Sequence, residues 1–213
     1  VGDDMEQYLL TYVMAKKLTI AGAMGQNQAV KLTAECFAQD ITPTAFTESL
    51  VIPTVEPIVA NQTKLYINTT WATKGNTQKT GLLRDYSLEI ITGLHPKFHG
   101  NGLTFDVHGE SYFEVMLKLT LEGNSDADAI YDYYQARTPL AIRLKTIGSI
   151  IGGAATYSMI FDIWGVFEEV QPMGAEADGN NLHVALFHGL YDPTPSTGLA
   201  MLACSVVTNG NTV

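Results

Sequence analysis

The chain has 213 residues, 46% hydrophobic and only 16% charged, with 22 acidic against 12 basic residues and a net charge of −10. That length builds one substantial domain. The acidic balance argues against a surface that grips nucleic acid by replacing counterions with Lys and Arg, and so few charges suit a protein that hides much of its surface in an assembly. No stretch reaches ~18 apolar residues, so no membrane-spanning helix is expected.

Met5, Tyr8, Leu9, Tyr12 and Val13 recur at i, i+3, i+4, i+7 and i+8. Acids precede them and Lys16 and Lys17 follow, which predicts an amphipathic N-terminal helix with charges matched to its dipole. Gly22 to Gln28 reads as a turn; its glycines lack the Gly-Lys-Ser/Thr ending of a phosphate loop. Lys31 to Phe37 alternates weakly and reads as a strand. From Ile41 to Ile58 the apolar residues are broken by Pro43, Pro53 and Pro57. Proline cannot donate to a ladder, so an extended arm along a surface or sheet edge is expected at 41–58. A strand over Lys64–Trp71 leads into Ala72–Gly81, which has hardly a core residue and reads as a mobile polar loop. Leu82 to Ile91 is again strand, and 93–102 is a loop carrying His95 and His99.

The clearest pattern runs from Leu103 to Arg137. Leu103, Phe105 and Val107 alternate with Thr104, Asp106 and His108; after Gly109, Phe113, Val115, Leu117, Leu119 and Leu121 alternate with polar residues and Met116. Period two marks strands with one buried face. Ser125, followed by Asp128, predicts a capped helix start, Ala127, Ile130, Tyr131 and Tyr134 follow at helical spacing, and Pro139 ends the helix region. Further strands are expected at Leu140–Leu144, Tyr157–Val170, Leu182–Phe187 and Leu199–Val207, with a flexible turn at Gly148–Gly153 and a hairpin turn at Asp178-Gly179. The expectation is a mainly β fold, one β-sandwich or barrel-like domain over residues 1–213, with a flanking α-helix at 125–137 and a helix at the N-terminus.

Chemistry is harder to find. Asp106, His108 and Glu110 share one strand face if Gly109 does not twist it, but a metal site needs further converging ligands; an exposed polar face is the simpler reading. No Gly-x-Ser-x-Gly elbow is present, and no histidine adjoins Cys36 or Cys204. The two cysteines have no zinc-type spacing and read as free buried thiols. Trp71 and Trp164 could stack on sugars, though core packing is the plainer role. No enzyme, metal or cofactor is expected.

The order of parts carries a resemblance: strands around Phe105 and from Phe113 to Leu121, the helix Ser125–Arg137, the turn Gly148–Gly153, the strand from Tyr157 through Asp162 to Glu169, the Asp178-Gly179 hairpin, and the strand ending Val206-Val207-Thr208-Asn209. From Tyr86 to Asn209 this layout resembles the major tail tube proteins of tailed bacteriophages. The resemblance implies a structural virion protein, assembled in the host cytoplasm and located in the tail. Its copies would form hexameric rings that stack into a tube, its partners would be itself and other tail proteins, and DNA would transit an acidic lumen without specific binding. It makes Asp106, Glu110 and Glu114 candidate lumen-facing acids, Lys74, Gly75, Asn76 and Lys79 a candidate inter-ring loop, and 41–58 a candidate arm. The N-terminal helix departs from the family layout, where a strand comes early. The alternative is a carbohydrate-binding or adhesin-like β-sandwich.

Overall fold

The alternating segments become strands. The structure, a computed structural model, describes residues 6–25, 27–45, 56–100, 102, 104–152, 155–177, 179–191 and 201–208. In chain order the strands are β1 (Glu6–Thr11), β2 (Met14–Ala23), β3 (Lys31–Phe37), β4 (Asp40–Ala45), β5 (Thr63–Asn68), β6 (Gln78–Lys79), β7 (Leu83–Ile91), β8 (Leu94–Lys97), β9 (Val107–Glu110), β10 (Glu114–Glu122), β11 (Leu140–Gly152), β12 (Ala155–Ala177), β13 (Asn180–Gly189) and β14 (Leu202–Val207). One helix, α1 (Ser125–Gln135), lies between β10 and β11. The fold is mainly β and sandwich-like, with a large antiparallel sheet and one α-helix.

The sequence reads as one domain with arms; the chain packs as two compact units. Unit 1 draws on Val1–Leu18, Thr33–Glu56 and Ile90–Glu114, and unit 2 on Thr19–Leu32, Pro57–Glu89 and Val115–Val213.

In unit 1 the expected N-terminal helix is a strand. β1 pairs antiparallel with β4, from Glu6 opposite Ala45 to Thr11 opposite Asp40. An isolated helix of three turns is marginal, whereas Tyr, Leu and Thr suit a strand paired along its length with β4. Pro43 is tolerated because this two-stranded sheet has only edges. The described part of the 41–58 arm therefore begins as strand; residues 46–55 lie outside the described residues. β8 and β9 form a second ribbon. Phe105 is the centre of the unit: it is buried, touched by the rings of Tyr12, Phe37 and Phe98, and its carbonyl accepts a 2.7 Å bond from the Gln39 amide.

In unit 2 the larger sheet runs β7-β10-β13-β12-β11-β5-β6, with β14 beside β12. Val115, Leu117, Leu119 and Leu121 are fully buried along β10, as their alternation predicts. They face cross-strand partners on β13 such as Phe187, opposite Leu117, and Ala185, opposite Leu119. Leu140, Ile142 and Leu144 on β11 and Leu65 and Ile67 on β5 form a second buried face. Tyr86 on β7 reaches toward Thr63 on β5 and Thr146 on β11, so the two faces share one core.

β12 joins the two faces. Its first part pairs with β11, ending with Gly165 opposite Leu140, and with β14 over Ser158–Ile163; its later part pairs with β13 from Gly165 onward. At the changeover the Trp164 N–H donates to the Met201 carbonyl, and its own carbonyl accepts from the Leu190 N–H. Of the turn expected at Gly148–Gly153, the part through Gly152 is strand, because β11 runs on to Gly152 and pairs back with β12 from Ala155; residues 153–154 lie outside the described residues. β12 and β13 pair up to Ala177 opposite Asn180, with Gly179 at positive φ between them; Asp178, the other residue of the expected hairpin turn, lies outside the described residues.

α1 starts one residue earlier than the sequence suggests. Asn124, not Ser125, is the cap: its side chain accepts from the N–H groups of Asp126 and Ala127. The helix ends in a Schellman motif, with Thr138 N–H bonded to Tyr133 O and Arg137 N–H to Tyr134 O. Ala127 and Ile130 are its buried residues, and it packs on β12.

Candidate functional site

The three candidate lumen acids all belong to unit 1, but one continuous strand does not carry them. Where a strand over 103–108 broken at Gly109 is expected, the strand is Val107–Glu110, running through Gly109 and paired with β8; Leu103 lies outside the described residues. Val107, expected on the buried face, is exposed, while Gly109 is buried. The cause is at Gly109: a Cβ there would lie 2.4 Å from both the His95 ring and the Lys97 stem, so those cross-strand side chains fill the space. Asp106 is exposed and its carboxylate is 3.1 Å from His99 Nδ1. Glu110 is exposed and 3.5 Å from His108 Nε2. His108 Nδ1 lies 2.9 Å from the Tyr12 hydroxyl, so Tyr12, His108 and Glu110 form one surface chain of polar groups. Glu114 opens β10, half-buried. Two of the three acids thus sit beside an imidazole.

The candidate inter-ring loop is ordered by its own hydrogen bonds. Asn68 organises it: the side-chain carbonyl accepts from the Gly75 N–H at 3.1 Å, and the amide donates to Thr77 Oγ1 at 3.0 Å. A 3-10 turn at Trp71–Thr73 opens the loop, and the Asn76 N–H closes on the Thr73 carbonyl. Lys74 places its ammonium 4.6 Å from the centre of the Trp71 ring, a cation–π contact. Lys79 pairs with Asp126 of α1 at 2.7 Å. Gly75 has φ of +84°, and a Cβ there would meet the Arg143 guanidinium at 2.5 Å. The segment expected to be a mobile loop is a tight hairpin back to β6, because Asn68 does for its backbone what a ladder would do.

Beneath it lies a pair that alternation alone does not reveal. Arg143 Nε and Nη2 bond Asp162 Oδ1 and Oδ2 at 2.6 and 2.8 Å, a bidentate clamp between directly opposed residues of β11 and β12. The Asp162 carboxylate raises the Arg143 pKa. The sequence signal was an Arg and an Asp each alone among apolar neighbours; only the register shows that they meet.

Among the described residues no group of three or more His, Cys, Asp or Glu is placed to hold a metal ion, and no helix is long and apolar enough to cross a membrane. Cys36 and Cys204 are free thiols, exposed rather than buried as expected, and partial burial pushes the Cys204 thiol up. Comparison with protein-family models and with curated proteins returns no match for the chain.

Proposed function

We propose that this chain is a structural protein whose copies assemble into six-membered rings, and that the stacked rings form the tail tube through which a tailed bacteriophage passes its DNA. One observation carries the assembly: unit 1 has almost no core of its own. Its buried apolar residues among those described are Phe105 and Ile90, yet it exposes Tyr8, Leu9, Leu10, Val13 and Ile41 on and beside the β1–β4 ribbon, and Phe98, Tyr112 and Phe113 elsewhere. Tyr8, Leu9 and Leu10 are consecutive in a strand, so both faces of the ribbon are apolar. A two-stranded ribbon is marginal in water, and apolar area on this scale marks an interaction surface. Further copies of the chain are the covering that a ring supplies.

The net charge of −10 suits the tube. Fixed negative charge repels phosphate, so DNA slides past without being held. In this reading Asp106, Glu110 and Glu114 front the lumen, the Lys74–Lys79 hairpin meets the next ring, other tail proteins cap the tube, and the protein resides in the virion tail after assembly in the host cytoplasm. Nothing favours the sugar-binding alternative: Lys74 occupies one face of Trp71, and Trp164 sits at the β12 changeover.

Negative-stain microscopy across a concentration series tests the reading. Rings or tubes are expected; a protein that stays monomeric at high concentration would overturn it.

A further inference from the structure

We infer that copies of this chain join head to tail, the outer face of β5 and β11 on one copy receiving the exposed face of α1 on the next. The inference rests on the ring reading and assigns the contact within it. Lys64 and Lys145 stand directly opposite each other across β5 and β11. Like charges in that position repel. The chain has 22 acids for 12 basic residues, so partners are plentiful, yet neither lysine has an ion pair among the described residues. The next cation on that face, Arg143, already holds Asp162. Two positive charges are left facing outward.

α1 carries the complement. Ser125, Asp128, Asp132 and Gln135 form one exposed stripe along the helix. Asp128 and Asp132, four residues apart, repel each other. Neither has an ion pair among the described residues, whereas Asp126 is held by Lys79. Asp128 lies in the first turn and gains from the helix dipole; Asp132 lies beyond it and does not. Directly opposed strand residues have Cβ atoms about 5 Å apart, and helix residues four apart about 6 Å. The two pairs are therefore equal in number, opposite in sign and similar in spacing. Each is unfavourable within one chain and favourable against the other. Because the two faces differ, the contact is heterologous, the kind that closes into rings when its rotation allows.

The test uses two charge reversals, Lys64→Glu with Lys145→Glu, and Asp128→Lys with Asp132→Lys, studied by sedimentation velocity in low salt beside the unaltered chain. Each reversed variant alone should require at least about tenfold more protein to assemble. An equimolar mixture of the two should assemble, because each acidic face then meets a basic one. If either reversal alone assembles like the unaltered chain, or the mixture stays apart while the unaltered chain assembles, this contact is wrong and the ring reading stands. If the unaltered chain never assembles, both fall. Circular dichroism checks the fold, and should a reversal misfold, Lys64→Gln with Lys145→Gln and Asp128→Asn with Asp132→Asn carry the test, each raising the assembly concentration.

Discussion

A Cβ on Gly165 would lie 1.9 Å from the carbonyl oxygen of His188, a backbone atom that cannot step aside. Gly165 is where β12 leaves β11 and takes up β13, with Gly189 as its cross-strand partner. The close approach lets one 23-residue strand serve both faces of the core. Gly165→Ala is expected to cost about 3 kcal/mol or more, since backbone must move apart at the changeover. Urea denaturation reads this directly; a midpoint near that of the unaltered chain would show that the strands can separate there without loss.

The Arg143–Asp162 clamp makes a different demand. Asp162 has 9% of its side-chain surface exposed, so removing its partner leaves a carboxylate nearly buried and unpaired. Arg143→Ala is expected to destabilise unit 2 by about 3 kcal/mol and to speed amide exchange at Gly75 and Thr77, whose hairpin lies against the guanidinium. Replacing both residues, Arg143→Met with Asp162→Leu, should recover most of the loss. Should the double variant be weaker than Arg143→Ala, the clamp would be contributing something apolar packing cannot.

Neither site is legible in the sequence, because each depends on which strands pair and in what register. Period-two alternation located β10 and its four buried residues and most of β7 and β13, because burial on one face leaves a local signature. It misread β1, where five apolar positions satisfied a helical spacing that pairing with β4 overrode. It also misread Val107 and the 72–81 hairpin, whose conformations depend on His95 filling the space over Gly109 and on Asn68 bonding the Gly75 and Thr77 amides. Those determinants are residues distant along the chain or side chains replacing ladder partners, and neither leaves a period. For the same reason the Lys64–Lys145 opposition appears only once the register of β5 against β11 is known.

Arg137 is the left-handed residue of the α1 Schellman motif, with φ of +48°. A residue with a Cβ is disfavoured there, whereas glycine is at ease. Arg137→Gly should raise stability by about 0.5–1 kcal/mol, the relief of strain being partly offset by the greater freedom of glycine in the unfolded chain. Thermal melts at two ionic strengths separate this from any charge effect. A lower melting temperature at both would mean that the arginine side chain makes an energetic contribution larger than the strain.

Tyr86 places a hydroxyl inside the core of unit 2. Thr63 and Thr146 lie beside it, but their hydroxyls bond each other at 2.8 Å and the tyrosine oxygen has no hydrogen-bond partner within reach. Burial raises its pKa above the ordinary value of 10.0, the nearby threonines offsetting only part of that. The unfolded chain therefore gives up this proton first. Below pH 10 the stability linked to this group is fully present, and it is lost as pH rises through the folded value. Tyr86→Phe removes both the unsatisfied oxygen and the titration, while the threonine pair keeps its bond. The variant should gain about 1 kcal/mol at neutral pH, and its denaturation midpoint should fall less steeply above pH 10 than that of the unaltered chain. Parallel alkaline slopes for the two proteins would mean that the Tyr86 hydroxyl does not titrate with unfolding; a loss of stability at neutral pH would mean that a water or a threonine satisfies the oxygen after all.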